Sequence, residues 1–110
     1  MPDSVLVAGA TSTAADSIEA FYTSPQAGNG TLITAFAAVN GSGANASYLG
    51  YIYDKSGTAL NAIIPIKKVV KNKTDIAPGI TNQMIPPGGT LRMESSRISS
   101  ISWHVSGIEL

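Results

Sequence analysis

The sequence predicts an all-β fold: a small, jelly-roll-like antiparallel β-sandwich with about seven or eight short strands. Two observations predict it. No segment spaces its apolar residues at helical intervals over three turns, so a substantial helix is not expected. Several short apolar or alternating segments instead follow one another, separated by turns rich in glycine, proline, asparagine and serine.

The clearest strands lie in the last third of the chain. A proline and glycine turn at 85–89 leads into residues 90–95, where alternate side chains face one way: Leu91, Met93 and Ser95. In residues 101–106 three side chains are expected to point inward and three outward, Ile101, Trp103 and Val105 against Ser102, His104 and Ser106. Each strand therefore buries one face, which specifies a scaffold rather than a reaction.

The middle of the chain predicts two longer strands. Residues 31–39 are apolar on both expected faces, which is typical of a strand near the centre of a packed sheet; the faces are Leu32, Phe36 and Ala38 against Ile33, Ala35 and Val39. A flexible loop at 40–45 and a tyrosine-rich return strand at 47–53 follow. The simplest pairing of these two strands is an antiparallel hairpin.

Shorter segments complete the predicted sheets. Residues 17–23 form a strand, and the apolar run 59–66 contains Pro65, which indicates an edge strand or a bend. Residues 75–82 are expected to be an irregular connection, and residues 83–85 a short strand.

The chain divides into two parts. Residues 1–16 are predicted as an N-terminal arm or short strand, because the small polar run 9–15 has little bulk to bury, and residues 17–110 as a single sandwich domain. Much of the 44% hydrophobic content is alanine and only seven residues are aromatic, so the core is expected to be thin. Self-association or docking onto a larger body would compensate.

Charge is sparse and balanced. Seven basic and seven acidic residues cancel, so no overall field attracts nucleic acid or a membrane surface. Residues 1–54 hold four acidic residues and no lysine or arginine, whereas residues 55–110 hold seven basic and three acidic residues. The formal net charges of the two halves are therefore −4 and +4. These halves would either pair within one subunit or orient subunits head to tail.

The sequence gives little support for a targeting signal, a membrane span or a metal site. No cysteine is present, the N-terminus does not resemble a signal peptide, and no apolar run is long enough to span a membrane, so we expect a soluble chain made in the cytosol of its producer. His104 is the single histidine. One imidazole without further histidine or cysteine cannot form the usual zinc or iron site, and no cofactor is expected.

No catalytic arrangement emerges, and we expect no enzyme activity and no catalytic residue. The carboxylates Asp54, Asp75, Glu94 and Glu109 have no spacing that favours a pair, and no Gly-x-Ser-x-Gly turn presents a serine. Four lysines at 67–73 could contact phosphate or an acidic protein, or could protect an edge strand from aggregation.

Aromatic residues allow one binding hypothesis. Tyr48, Tyr51, Tyr53 and Trp103 could form a platform on which a sugar stacks, although ordinary core packing also explains them. Tyr51 and Tyr53 share a strand face, and Tyr48 lies on the other.

One family resemblance covers most of residues 30–110. It rests on Gly30-Thr31-Leu32-Ile33-Thr34-Ala35-Phe36-Ala37-Ala38-Val39-Asn40, the tyrosine-rich return strand, Ile85-Pro86-Pro87-Gly88-Gly89-Thr90-Leu91 and the closing strand 101–110. In these turn and strand patterns the chain resembles capsid cement, or decoration, proteins of tailed bacteriophages, especially those of short-tailed phages such as epsilon15.

The resemblance implies a jelly-roll-like subunit, often a homodimer or other homo-oligomer, that binds the outside of a phage shell. There it would bridge neighbouring major capsid proteins. Contact with a membrane or directly with nucleic acid is not expected, and the protein would be made in the host cytoplasm. Candidate interface residues are Val5, Leu6, Val7, Lys67, Lys68, Lys71, Lys73 and His104. A phage neck, tail or fibre protein and a carbohydrate-binding β-sandwich module remain open as alternatives.

Overall fold

The computed structural model describes residues 3–69, 71–76 and 80–110, and for residues 59–68 it describes the backbone. This part of the chain contains no helix and forms nine strands in two antiparallel sheets. In chain order the strands are β1 (Ser4–Thr11), β2 (Glu19–Thr23), β3 (Thr31–Asn40), β4 (Ala46–Tyr53), β5 (Ala59–Val69), β6 (Lys73–Asp75), β7 (Met84–Ile85), β8 (Thr90–Ser95) and β9 (Ile101–Glu109).

The two sheets have jelly-roll connectivity. The first sheet has the order β1-β9-β3-β6, with β7 also on β3, and the second has the order β2-β8-β4-β5. Because β6 and β7 pair with opposite ends of β3, they act as one interrupted strand. The pairs are then β1 with β9, β2 with β8, β3 with β6 and β7, and β4 with β5, as in a rolled-up antiparallel hairpin. The predicted all-β sandwich is confirmed.

The predicted hairpin between the third and fourth strands is wrong. β3 lies in the first sheet and β4 in the second, so the 41–45 loop crosses the sandwich. The Asn40 side-chain amide donates to the Ala44 and Val69 carbonyl oxygens, both at 2.9 Å, and its oxygen accepts from the Ser42 amide. These bonds hold the predicted flexible loop against the end of β5. β3 pairs instead with β9 over nearly its whole length.

Trp103 lies at the centre of the core and is fully buried. Its ring centroid lies 6.0 Å from that of Phe21, 6.3 Å from that of Phe36 and 5.2 Å from that of Tyr48, so it contacts strands of both sheets. Tilted and edge-on arrangements of this kind are favourable between aromatic rings. The inward faces predicted for the two C-terminal strands are confirmed by the burial of Leu91, Met93, Ser95, Ile101, Trp103 and Val105.

The predicted faces of β3 are wrong at its start. Its register shifts between Ile33 and Ala35, so the alternation of side chains changes phase there. Ile33 is therefore buried together with Phe36, whereas Leu32 is only partly buried. The strand is central in its sheet, as predicted.

The segment predicted as an arm or short strand contains an eight-residue strand, β1, which pairs with β9 at the edge of the first sheet. Two register shifts interrupt the pairing, and Gly9, which lies in the second of them between Ala8 and Ala10, has a φ of 79°. At Gly107 of β9 a Cβ would overlap the Leu32 carbonyl oxygen and would lie 2.8 Å from Leu6 Cδ1. Glycine at this position therefore lets β1 and β3 approach β9 closely.

The second sheet ends at β5, which confirms the edge position predicted from Pro65. The pairing register with β4 shifts between the Lys67 and Ile64 pairs, so the proline lies in a bulge. The predicted strand at 83–85 is confirmed as β7, while residues 77–79 of the predicted connection lie outside the described residues.

Candidate interaction surfaces

The outer face of the first sheet is a shallow trough of about 810 Å³. Three alanines of neighbouring strands set its floor: Ala8 and Ala37 flank His104, and Ala35 lies beside Ser106. The small side chains of these alanines leave the centre of the face low. None of the described residues that line the trough is aspartate, glutamate, lysine or arginine. They include Val5, Ala8, Ala35, Ala37, Ile76 and His104.

Two exposed apolar side chains form the walls of the trough. Val5 on β1 is 70% exposed, and Ile76 after β6 is 64% exposed. They stand on opposite sides of the floor because β1 and β6 are the outer strands of the first sheet. Burial of such side chains against a partner contributes about 25 cal/mol per Å² of apolar surface removed from water. The trough therefore offers apolar surface that a partner could cover.

His104 is the main polar group of the floor. The hydroxyl of Ser102 lies 3.3 Å from its Nε2, and Gly9 leaves room beside the ring, since a Cβ there would lie 3.4 Å from His104 Cε1. In the described part of the chain, no group of three or more histidine, cysteine, aspartate or glutamate residues could hold a metal ion. The imidazole here can donate or accept one hydrogen bond to a docked partner.

The structure brings together Val5 and His104 from the predicted interface residues. Leu6 packs against the core and Val7 is only 4% exposed, so their side chains mainly support the trough from below. Sequence reasoning missed Ala35, Ala37 and Ile76. The signal for the two alanines was present, because β3 was predicted to be apolar on both faces.

The predicted lysines lie away from the trough floor. Lys71 and Lys73 are exposed in and after the turn that precedes β6, and the Lys71 backbone amide donates to Asn45 Oδ1 at 3.1 Å. Lys67 and Lys68 belong to β5, opposite Tyr48 and Ser47 of β4, and their side chains lie outside the described residues. Their backbone positions are those of an edge strand.

The outer face of the second sheet carries Tyr51, Tyr53 and Arg92, which we call the tyrosine–arginine patch. The tyrosine ring centroids are 6.2 Å apart with an angle of 76° between the rings. The Arg92 guanidinium lies over the Tyr53 ring, 4.1 Å from its centroid, and its Nε donates to Thr90 Oγ1 at 2.9 Å. All three side chains are partly exposed.

The four-ring sugar platform considered from sequence does not form. Tyr48 and Trp103 are buried in the core, and only Tyr51 and Tyr53 face outward. The Tyr48 hydroxyl donates to Asp75 Oδ2 at 2.6 Å, which ties the second sheet to β6 of the first. Burial and this carboxylate raise the pKa of Tyr48 well above its usual range.

Several described carboxylates have structural partners. Asp54 accepts from the Ser56 and Thr58 amides in the turn after β4. Glu19 accepts from the Thr13 amide and hydroxyl, and these bonds lower its pKa. Such arrangements hold turns in place, and they do not resemble the paired acids of a hydrolase.

A second polar network lies where β2 meets β3. The Tyr22 hydroxyl donates to Glu109 Oε2 and lies 3.0 Å from Thr31 Oγ1, which in turn lies 2.7 Å from Ser24 Oγ. Burial, followed by the hydrogen bond to Glu109, raises the pKa of Tyr22. The network joins an edge strand of the second sheet to the centre of the first.

Among the described residues there is no helix that is long and apolar enough to cross a membrane. Comparison of the chain with protein-family models, with curated proteins and with solved structures finds no match. The geometry of the two outer faces is therefore the basis for a functional argument.

Proposed function

We propose that this chain is a virion structural protein, a capsid decoration or cement protein that binds the outside of a phage shell. In this proposal the trough docks on the major capsid protein at a joint between neighbouring copies. The observation that carries the proposal is the uncharged trough with Val5 and Ile76 exposed on its two sides. Jelly-roll architecture, which is frequent among viral capsid domains, supports it as fold-level analogy.

The chemistry of the trough suits a static, repeated contact. Small side chains such as Ala35 and Ala37 let a partner strand or loop approach the backbone closely. The described lining carries no fixed charge, and only the Asp3 carboxylate lies at its margin beside Thr34, so the contact depends only weakly on salt because there is little Coulomb interaction to screen. One such contact is weak, but many copies on one shell, each bridging two capsid subunits, add their effects.

The decisive experiment is addition of purified protein to undecorated phage shells, followed by sedimentation and measurement of bound copies per shell. We expect uptake that saturates at a fixed ratio. Ala37→Arg places a long charged side chain on the trough floor and should abolish uptake, whereas Ala37→Ser should preserve it. Thr23→Arg, on the exposed outer face of the second sheet, is the matched control and should bind normally.

Failure of the wild-type protein to add to any undecorated shell would refute the decoration role. Uptake by isolated tails or necks, with the same loss in Ala37→Arg, would instead support the alternative of a neck, tail or fibre protein. Equal binding of the Ala37→Arg and Thr23→Arg variants would show that the trough is not the docking surface. Circular dichroism would verify that each variant is folded.

A further inference from the structure

The tyrosine–arginine patch contains a cation whose hydrogen-bonding capacity is largely unused. A guanidinium has five N–H donors, and in the described part of the chain Arg92 has two partners, the Thr90 hydroxyl and the Tyr53 ring. Neither partner is a carboxylate. We infer that this patch binds a saccharide that carries a carboxylate group.

The guanidinium is held in a defined orientation. The bond from its Nε to Thr90 and the stacking on Tyr53 fix the plane of the group and leave its four terminal N–H donors without a partner among the described residues. Planar guanidinium groups match carboxylates through two parallel hydrogen bonds, and such charge-assisted bonds are about twice as strong as neutral ones. A preoriented arginine loses less side-chain entropy when the ligand binds.

The neighbouring ring suits the body of a sugar. Arg92 covers the Tyr53 ring, but Tyr51 lies directly across from Arg92 in the pairing of β4 with β8. Adjacent strands are about 4.8 Å apart, which is close to the width of a pyranose ring. A sugar whose C–H face lies on Tyr51 can therefore direct its carboxylate toward the guanidinium.

Glu94 favours a saccharide over an acidic peptide as the ligand. It lies on the same face of β8 as Arg92, two residues further along, and pairs with Leu49 of β4. A peptide with several acidic residues would place like charges beside Glu94, which is unfavourable. A sugar acid brings one carboxylate for Arg92 and hydroxyl groups that can donate to Glu94.

This inference goes beyond the decoration role and does not depend on it. The patch and the trough lie on opposite faces of the sandwich, so both can be occupied at the same time. A subunit docked through the trough would present the patch outward.

NMR titration of the isotope-labelled protein tests the site with defined probes: glucuronate, methyl glucoside, acetate and a tetra-aspartate peptide, each at millimolar concentration. We expect glucuronate to shift the Arg92 Nε–Hε signal and the Tyr51 ring signals, and to do so at lower concentration than the other three. No shift at Arg92 with glucuronate would refute the inference. Equal binding of acetate or tighter binding of the peptide would also refute it, since either would show a site for carboxylates without sugar selectivity.

Variants separate recognition from folding. Arg92→Lys keeps the charge but loses the planar fork, and we expect glucuronate binding to weaken about tenfold. Glu94→Gln removes the carboxylate that accepts from the sugar hydroxyls, so glucuronate binding should weaken while tetra-aspartate binding strengthens, and damage to the fold would not move the two in opposite directions. Arg97→Lys is the matched control, because Arg97 is exposed in the turn after β8. If Arg92→Lys and Arg97→Lys bind glucuronate equally, Arg92 is not the recognition group.

The shell assay distinguishes this inference from the proposed function. Arg92→Lys should add to shells as the wild type does, while Ala37→Arg should bind glucuronate normally but fail to add to shells. Loss of glucuronate binding alone would therefore leave the decoration role standing.

Discussion

The two outer faces of the sandwich have opposite chemistry although they cover one core. On the first sheet, alanine, serine and valine line an uncharged trough with a single histidine in its floor. On the second sheet, two tyrosines, an arginine and Glu94 stand out from the surface. Strand alternation constrains only the inward half of each strand. The outward half can therefore differ between the sheets without cost to the core.

The largest expected effect tests whether both faces depend on the shared core. Trp103→Ala removes the ring that contacts Phe21 and Tyr48 of the second sheet, and we expect a loss of about 3–5 kcal/mol from the free energy of unfolding. That is a large part of the roughly 5–15 kcal/mol usual for a domain. Urea denaturation followed by circular dichroism measures it.

In Trp103→Ala both outer faces should unfold together, at a lower denaturant concentration than in the wild type. If the trough unfolds while the tyrosine–arginine patch keeps its native NMR signals, the two sheets are stabilised separately, and the comparison of two faces over one core is wrong. Phe36→Leu, a milder change in the same ring cluster, should show a smaller loss in the same direction.

A smaller loss of stability should affect only the face formed by the first sheet. Tyr48→Phe removes the hydroxyl that donates to Asp75 and holds β6 near the trough, and we expect a loss of about 1–3 kcal/mol. Hydrogen exchange should accelerate at Thr74 but not at Tyr51. Tyr53→Phe, which removes a hydroxyl on the outer face, is the matched control and should leave the exchange of Thr74 unchanged.

Alkaline pH should weaken the same hydrogen bond between Tyr48 and Asp75. The pKa values of Tyr48 and Tyr22 are raised in the folded protein. The stabilisation that the two neutral phenols provide is therefore fully present below the unfolded pKa of about 10. It is lost as pH rises further, because the phenols of the unfolded chain ionise first. Chemical denaturation between about pH 9 and about pH 11 measures this loss, and Tyr48→Phe should reduce its slope. An unchanged slope would contradict the assignment to Tyr48.

The smallest effect concerns the connection between β1 and β2. Hydrogen bonds from Thr13 lower the pKa of Glu19, so its contribution to stability is present above an unfolded pKa of about 4.3 and is lost as pH falls through the folded value. Because Glu19 is close to solvent, the change in melting temperature should be small. Glu19→Gln should flatten the acid dependence of melting, and an identical profile would contradict the role of Glu19.

Local pattern predicted much of the fold. Alternation at 101–105 identified the buried side of β9, and Pro65 identified an edge strand. The candidate site was only partly predictable. Val5 and His104 were both named as candidate interface residues, but their position in one trough depends on the pairing of β1 with β9. Ile76, which follows β6, joins them from a part of the chain that is distant in sequence.

The amino-acid sequence by itself determined the all-β fold class, because strand alternation and turn residues act over a few neighbouring positions. Only the tertiary structure decided which strands pair. β1 meets β9, and β3 separates from β4, since burial of Trp103 between two sheets requires contacts between residues far apart in the chain. The bulge after Ile33 likewise determines which side chains of β3 face the trough. The two outer faces are products of that long-range pairing.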